Sequence, residues 1–161
     1  MPGQRIPRVE QVLDLLDANP RASANAEIKT FAAHRDWTHP PEAFARTLVD
    51  LLRRRGLLSR VVIQSFDAAA LQAVARLAPE AALSALVEHR AEADPLLRAT
   101  GARILSPRHT ELVEGDVAAF HRRGVRVIPW TVNDPEEMRR LIGWGVDGII
   151  TDRPDLLTSP R

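Results

Sequence analysis

The stretch NAEIKT, residues 25–30, places a carboxylate two residues before an ammonium group. Lys29 is the only lysine among the 22 basic residues of the chain, and Glu27 is the carboxylate. Because side chains alternate between the faces of a β-strand, Asn25, Glu27 and Lys29 would share one face of a strand here. In a parallel barrel, polar groups near the C-terminal end of a strand lie where barrel enzymes carry their sites. A structural ion pair or a solvated edge strand explains the pattern equally well.

Polar residues also follow the other predicted strands, and one large aromatic residue lies among them. Trp130 directly precedes a Thr-Val-Asn strand exit. A functional role is one explanation for a tryptophan there, and packing in the core, the commoner role of this residue, is the other. None of the five histidines is paired at the spacing that holds a metal on a helix, so a histidine-based metal site has little support. The polar strand ends are Gln64-Ser65, Glu88-His89, Ser106-Pro107-Arg108-His109, Thr131-Val132-Asn133 and Thr151-Asp152-Arg153.

The composition limits which partners, metal ligands and cellular locations are expected for the protein. The 22 basic and 21 acidic residues are interspersed, so neither nucleic acid nor an anionic membrane is an expected partner. The chain has no cysteine, which excludes disulfides and thiolate sites and leaves oxygen or imidazole ligands for any metal. No apolar run approaches the roughly 20 residues of a membrane span, and the start of the chain lacks the apolar core of a signal peptide. We therefore expect a globular protein in the cytoplasm.

Turn residues divide the chain into alternating helices and strands. The apolar spacing of Val9, Val12, Leu13 and Leu16 predicts a first helix. Asp67 and Asp134 are expected to be the N-caps of two later helices, and Pro129 should interrupt pairing in the fifth strand because it has no N–H. Alternation of this kind is typical of a parallel α/β sheet. The six predicted strands lie near residues 26, 63, 85, 104, 128 and 149.

Such a sheet either stays open and doubly wound or closes into a barrel. No G-x-G-x-x-G segment and no P-loop follows any predicted strand, so nucleotide binding has no support. A barrel of eight βα units usually needs about 250 residues, whereas six strands with their helices account for these 161 residues. The barrel interpretation therefore requires that part of the barrel is missing.

Several segments together resemble one enzyme family. The segment IPWTVNDPEEMRRLIGWGVDGIITDRPDLL resembles the C-terminal signature of the glycerophosphodiester phosphodiesterase family, and IPRVEQVLDLL, NAEIK and RVVIQSFD resemble its earlier segments in the same order. The similarity extends from about Ile6 to Leu157. Its most specific element is Trp-Thr-Val-Asn followed, after one helix, by Gly-Val-Asp-Gly-Ile-Ile-Thr-Asp-Arg-Pro. We therefore interpret residues 1–161 as the C-terminal part of a barrel domain of this family.

The resemblance implies a fold, a reaction and a set of site residues. The fold would be α/β, an incomplete TIM-type (βα) barrel with six parallel strands alternating with helices. The reaction would be hydrolysis of glycerophosphodiesters, the deacylated remains of phospholipids, to glycerol 3-phosphate and an alcohol, assisted by calcium or magnesium. By the resemblance, Glu27 is one ligand of that cation, Lys29 is a catalytic and substrate-binding residue near the phosphate, and Trp130 lines the substrate pocket. Hard cations prefer carboxylate oxygens, so these roles are chemically consistent.

The sequence departs from the family pattern at its start. The family begins with a strand carrying His-Arg-Gly, a strand carrying Glu-x-Asp and an excursion ending in His-Asp, which by the resemblance supply the general acid and base and the remaining metal ligands. No predicted strand carries His-Arg-Gly or Glu-x-Asp, and His-Asp does not occur. We therefore expect this chain alone to be inactive and to self-associate through open sheet edges. Two alternatives stay open: a noncatalytic domain that binds phosphate or a small ligand or serves in assembly, and an unrelated βα-barrel enzyme.

Overall fold

Helices and parallel strands alternate along residues 5–157, which are the residues that the computed structural model describes. Neighbouring strands pair in parallel and follow one another in chain order, β1 to β5, as in the wall of a barrel. This confirms the predicted fold class. The strands are β1 (Ala24–Glu27), β2 (Val61–Ser65), β3 (Ala82–Val87), β4 (Ile104–Pro107) and β5 (Arg126–Val127). The α-helices are α1 (Val9–Ala18), α2 (Pro41–Arg54), α3 (Ala68–Leu77), α4 (Ala93–Thr100), α5 (Asp116–His121) and α6 (Pro135–Gly143).

The sixth predicted strand is an extended segment, residues 147–150, rather than a regular strand. The amide of Asp147 donates to the carbonyl of Val127, and the amide of Ile150 donates to the carbonyl of Pro129, both at 2.9 Å. Pro129 has no N–H to donate in return, so a regular ladder does not form between the two segments. The structure therefore has five regular strands in its described part where six were expected.

Pro129 lies two residues beyond the end of β5. The regular strand ends at Val127, although the amides of Ile128 and Trp130 still donate to the carbonyls of Leu105 and Pro107, and Trp130 forms an isolated bridge with Arg108. The predicted interruption is confirmed. It leaves Trp130 beside Arg108 at the carboxyl end of the sheet.

The two faces of the sheet carry different kinds of side chain. On the face covered by helices, Ile63, Ala85 and Leu105 belong to the main apolar core. The opposite face carries a polar layer across four strands, in which Asn25 Nδ2 donates to Gln64 Oε1 at 2.8 Å and the hydroxyls of Ser84 and Ser106 lie 2.9 Å apart. Filled layers of this kind are typical of a barrel interior. Glu27 pairs in register with Gln64, so its side chain lies on the same interior face.

Two further expectations concern the helices: which residues cap them, and whether any helix is long and apolar enough to span a membrane. Asp67 accepts a hydrogen bond from the Ala69 amide at 3.0 Å, and Asp134 accepts one from the Glu136 amide at 2.9 Å, so both predicted N-caps are confirmed. The longest helix, α2, has 14 residues. Within residues 5–157, no helix combines the length and the apolar character that a bilayer span requires.

The first helix is only partly covered. Leu13 and Leu16 are buried, whereas Val9 and Val12 of the same predicted stripe are more exposed, at 43% and 41%. Leu15 is also exposed. The apolar spacing identified the helix correctly, but half of the stripe has no covering element among the described residues.

Candidate active site

Glu27 and Lys29 lie at the carboxyl end of β1 and contact each other. The Nζ atom of Lys29 is 3.6 Å from Oε1 of Glu27, and the two side chains are 65% and 27% exposed. An exposed ion pair of this kind contributes about 1 kcal/mol or less to stability. The fold therefore gains little from the pair, and both groups stay accessible to a ligand.

A pocket of about 410 Å³ opens beside this ion pair. It lies at the carboxyl ends of three neighbouring strands, which is where barrel enzymes carry their active sites. The structure thus places two of the predicted site residues, Glu27 and Lys29, in one pocket. Its lining consists of Glu27, Ile28, Lys29, Thr30 and Phe31 after β1, Phe66 after β2 and Glu88 after β3.

Two larger pockets are less suited to binding a phosphate and a cation, the chemistry that the resemblance implies. One, of about 550 Å³, adjoins the first through Phe66 and Glu88 and is otherwise lined mainly by apolar residues of the β3–α4 region. The other, of about 450 Å³, lies toward the amino ends of β3 and β4. Its charged residues are Arg103 and Arg126, and no carboxylate lines it. Neither pocket contains a lysine, so we take the pocket beside Lys29 as the candidate site.

Trp130 does not line this pocket, but it contacts Phe66, which does. Its ring meets Phe66 edge to face, with centroids 5.6 Å apart. Its Nε1 donates to the carbonyl of Ser106 at 2.8 Å, and Cζ of Arg108 lies 5.5 Å from its ring centroid. Trp130 therefore supports a residue of the pocket wall, and its predicted contact with substrate stays a prediction.

Three residues of this region were not singled out from the sequence. Arg108 forms an ion pair with Glu88 at 3.2 Å, and Phe66 is exposed although it is large and apolar. Glu88 and Arg108 were recognised only as members of polar strand ends. The signal that identifies them is spatial, because parallel pairing brings the ends of separate strands to one edge of the sheet.

The histidine nearest to Trp130 already has partners. The amide of His109 donates to the carbonyl of Trp130, and its Nδ1 lies 3.0 Å from Oε1 of Glu137. A hydrogen bond from Arg140 lowers the pKa of Glu137, burial opposes this, and His109 lowers the pKa further. His109 thus ties the strand end to α6 and does not line the candidate pocket.

The pocket contains two carboxylates of the kind that a divalent cation binds. Carboxylate oxygen is the donor that calcium and magnesium prefer, so accessible Glu27 fits as one ligand. Glu88 lines the same pocket, but its charge is paired with Arg108. Calcium takes roughly six to eight oxygen ligands, and residues 5–157 contain no cluster of three potential metal-binding side chains. The described residues therefore fit the chemistry of the cation but do not complete its coordination.

A sequential parallel sheet with charged groups at its carboxyl edge defines the fold class as an open part of a TIM-type barrel. The pattern that defines the glycerophosphoryl diester phosphodiesterase family matches residues 1–156. The chain therefore belongs to this family of phosphoric diester hydrolases.

Individual relatives agree with this assignment. The glycerophosphodiester phosphodiesterase of Caldanaerobacter subterraneus subsp. tengcongensis is 30% identical over 98% of this chain and 62% of its own length. The enzyme of the same name from Bacillus subtilis is 31% identical over 96% of this chain and 53% of its own length. The crystal structure of a glycerophosphodiester phosphodiesterase from Parabacteroides distasonis superposes with a TM-score of 0.81 at 26% identity, covering 95% of this chain and 63% of that one. This chain thus spans little more than half the length of such relatives.

Proposed function

We propose that residues 1–161 are the C-terminal part of a barrel domain that, when complete, hydrolyses glycerophosphodiesters to glycerol 3-phosphate and an alcohol. The observation that carries the proposal is the accessible pocket in which Glu27 and Lys29 lie together. Family membership and the names of the relatives support the type of reaction. The cytoplasmic location expected from the sequence stays a prediction.

Each site residue has a proposed role. Lys29 provides a compact positive charge that binds a phosphate oxygen and offsets negative charge as the P–O bond breaks. Glu27 provides one oxygen ligand for calcium or magnesium. When bound, such a cation polarises the phosphoryl group. Trp130 is proposed to contact the substrate, and its ring is already held in place by Ser106 and Phe66.

The chain alone is proposed to bind ligand without efficient turnover. Hydrolysis of a phosphodiester needs proton transfer to the leaving alcohol. No histidine lines the candidate pocket within residues 5–157, and its two carboxylates are paired with Lys29 and Arg108. A noncatalytic phosphate-binding domain is therefore the second candidate function, and restoration of activity in a completed barrel separates the two.

The single lysine permits a direct test of binding. In a chain labelled with ¹³C-lysine, the only labelled side chain is that of Lys29. We expect its Cε signal to shift saturably on titration with sn-glycerol 3-phosphate, with and without calcium, because the phosphate approaches the ammonium group. Glycerol is the matched control, since it lacks the phosphate. If sn-glycerol 3-phosphate shifts the signal no more than glycerol does, the proposed phosphate site is wrong.

A further inference from the structure

The carboxylate of Asp67 does more than cap α3. Its side chain is only 4% exposed. Oδ1 accepts from the Ala69 amide and from one Arg35 nitrogen, both at 3.0 Å. Oδ2 accepts from Thr30 Oγ1 at 2.6 Å and from the second Arg35 nitrogen. Capping needs only the bond to Ala69, so the other three bonds hold the connection between β1 and α2.

A second set of hydrogen bonds, made by the Ser65 hydroxyl, holds the same connection at the residue before Lys29. The hydroxyl of Ser65 donates to the carbonyl of Ile28 at 2.6 Å and accepts from the amide of Asp67 at 3.1 Å. The backbone is therefore fixed at Ile28, directly before Lys29, and at Thr30, directly after it. Lys29 itself has one close charged contact, the exposed ion pair with Glu27. The direction of its long side chain thus depends on how firmly its neighbours hold the backbone.

Asp67 is charged at neutral pH. Burial raises the pKa of its carboxyl group, but hydrogen bonds from Arg35 and Thr30 outweigh this effect, and the pKa lies below its ordinary value. A bidentate pair between arginine and a carboxylate is among the stronger and more directional contacts in proteins. The connection is therefore held by a formed ion pair under ordinary assay conditions.

We propose that Asp67 is a positioning residue for the phosphate site: through Arg35 and Thr30 it fixes the backbone from which Lys29 and Phe31 reach the pocket. This inference rests on the proposed function, because it assumes that Lys29 binds phosphate. It adds a requirement that neither the family nor the N-cap states, namely that ligand affinity depends on the pair between Asp67 and Arg35.

The chain contains a matched control for this pair. Asp116, at the start of α5, is also buried and accepts two bonds from one arginine, Arg90, at 2.9 and 2.5 Å. Both arginines are partly exposed, Arg35 at 43% and Arg90 at 58%. Neither Asp116 nor Arg90 lines the candidate pocket. Removing either arginine head group therefore breaks the same kind of contact, but only one break is next to Lys29.

The test compares Arg35→Gln with Arg90→Gln in the ¹³C-lysine-labelled chain. Because a hydrogen-bonded charge is lost beside the site, we expect affinity for sn-glycerol 3-phosphate to fall about tenfold in Arg35→Gln. Affinity in Arg90→Gln should stay within about twofold of wild type. Asp67→Asn, which keeps an oxygen for the cap, should weaken binding as Arg35→Gln does, and Arg35→Lys should lie between wild type and Arg35→Gln. Thermal melts and amide hydrogen exchange of residues 29–35 are measured on every variant.

The outcomes separate this inference from the proposed function. Faster exchange in residues 29–35 together with weaker binding, in Arg35→Gln only, supports the inference. Wild-type affinity in Arg35→Gln overturns it, even if exchange is faster. Equal weakening in Arg35→Gln and Arg90→Gln, in step with their melting temperatures, shows a merely structural role and also overturns it. If wild type responds to sn-glycerol 3-phosphate no more than to glycerol, the proposed function fails and the inference fails with it.

Discussion

At the scale of single residues, the opposite charges of Glu27 and Lys29 have different proposed partners although the side chains touch. One is a hard anionic ligand for a cation, and the other is a cationic group for a phosphate. Their substitution should therefore produce different defects in a barrel completed with the missing N-terminal motifs. A purely structural ion pair would instead give the same loss of stability whichever partner is removed.

The first prediction concerns this difference. Glu27→Gln should weaken metal binding and lower the rate, and excess calcium should recover part of the loss, because the amide still offers one neutral oxygen. Lys29→Arg should lose activity at nearly unchanged metal affinity, and Lys29→Met should lose more, because the charge is gone. The measurement is a calcium titration of glycerol 3-phosphate release.

Thermal melts provide the control for these variants. Since the pair is exposed, Lys29→Met should change stability by about 1 kcal/mol or less. Full activity of Lys29→Met, or a loss of activity explained by unfolding, would show that the pair is structural and that the assigned roles are wrong.

The sequence was sufficient to place Glu27 on its strand, but not Lys29, which lies two residues beyond the end of β1, nor the surroundings of either residue. Strand alternation predicted the interior face, and the register of Glu27 with Gln64 agrees with it. Glu88 was not selected because the sequence does not state which strand ends come together. The N-cap role of Asp67 was predicted from local spacing, whereas its partner Arg35 lies in an irregular connection whose path no periodicity specifies.

At the scale of elements, three carboxylates hold irregular segments to regular ones, and two of them, Asp67 and Asp116, are buried. Asp67 holds the β1–α2 connection, and Asp116 holds the start of α5 to Arg90. Asp147 holds the segment beside β5, where it accepts from the Val127 amide at 2.7 Å. In each case burial raises the pKa of the carboxyl group, and hydrogen bonds from neighbouring groups outweigh it, so all three pKa values lie below normal.

These shifts predict how stability depends on pH. A carboxyl group with a lowered folded-state pKa contributes stability above its unfolded pKa, about 3.9 for aspartate, and loses that contribution as the pH falls through the folded pKa. Unfolding free energy should therefore fall steeply below about pH 4. Asp116→Asn is the cleanest variant, because its partner is an arginine, which does not titrate in this range, and because Asp116, unlike Asp67, does not hold the segment that carries Lys29.

We expect Asp116→Asn to cost about 1–3 kcal/mol at pH 7 and less at pH 3, because below the unfolded pKa the wild-type carboxyl group takes up a proton more readily in the unfolded chain than in the fold. Urea unfolding at a series of pH values measures the difference. A difference that stays constant between pH 7 and pH 3 would mean that the charge of Asp116 does not stabilise the fold.

Helices and strands were largely predictable, and the exceptions have local causes. The presence of Pro129 in the sequence predicted an interruption in the fifth strand. Because Pro129 has no N–H, residues 147–150 do not form a regular ladder beside it. That effect could not be predicted, since the sequence does not show which segments become neighbours. The apolar spacing of α1 identified a helix. Spacing does not identify the element that covers a stripe, so the exposure of Val9 and Val12 could not be predicted.

At the scale of the whole molecule, the sheet is open but its interior is mostly filled. Leu86 and Ile104, on the face away from the helices, are only 4% and 1% exposed. An exposed apolar interior is thus not the main reason to expect self-association. The features that remain are β1, which has no strand on its outer side within residues 5–157, and the exposed apolar residues of α1.

We therefore predict that the chain self-associates through β1 and α1, because an unpaired strand edge and an exposed apolar stripe both gain by pairing. Size-exclusion chromatography with light scattering at micromolar concentration should show species larger than the monomer. Leu15→Lys should shift the distribution toward monomer, whereas Ile142→Lys, at an exposed position of α6, should not. A sharp wild-type monomer peak without detergent would contradict the prediction.

The last prediction joins the site to the missing part of the barrel. The chain alone should hydrolyse glycerophosphocholine negligibly, with or without calcium or magnesium, because an absent general acid or base each costs about 10²-fold or more. Its pocket has no histidine lining it among the described residues, so no nearby group replaces them. A fusion that adds a family segment with His-Arg-Gly, Glu-x-Asp and His-Asp should release glycerol 3-phosphate in a metal-dependent manner, and the same fusion carrying Lys29→Met should be much slower. If the unfused chain turns over substrate robustly through repeated purification, the incomplete-enzyme proposal is wrong. If the fusion folds and binds sn-glycerol 3-phosphate but remains inactive, the noncatalytic binding domain becomes the better description, since the phosphate site would then be present without the proton transfer that cleavage requires.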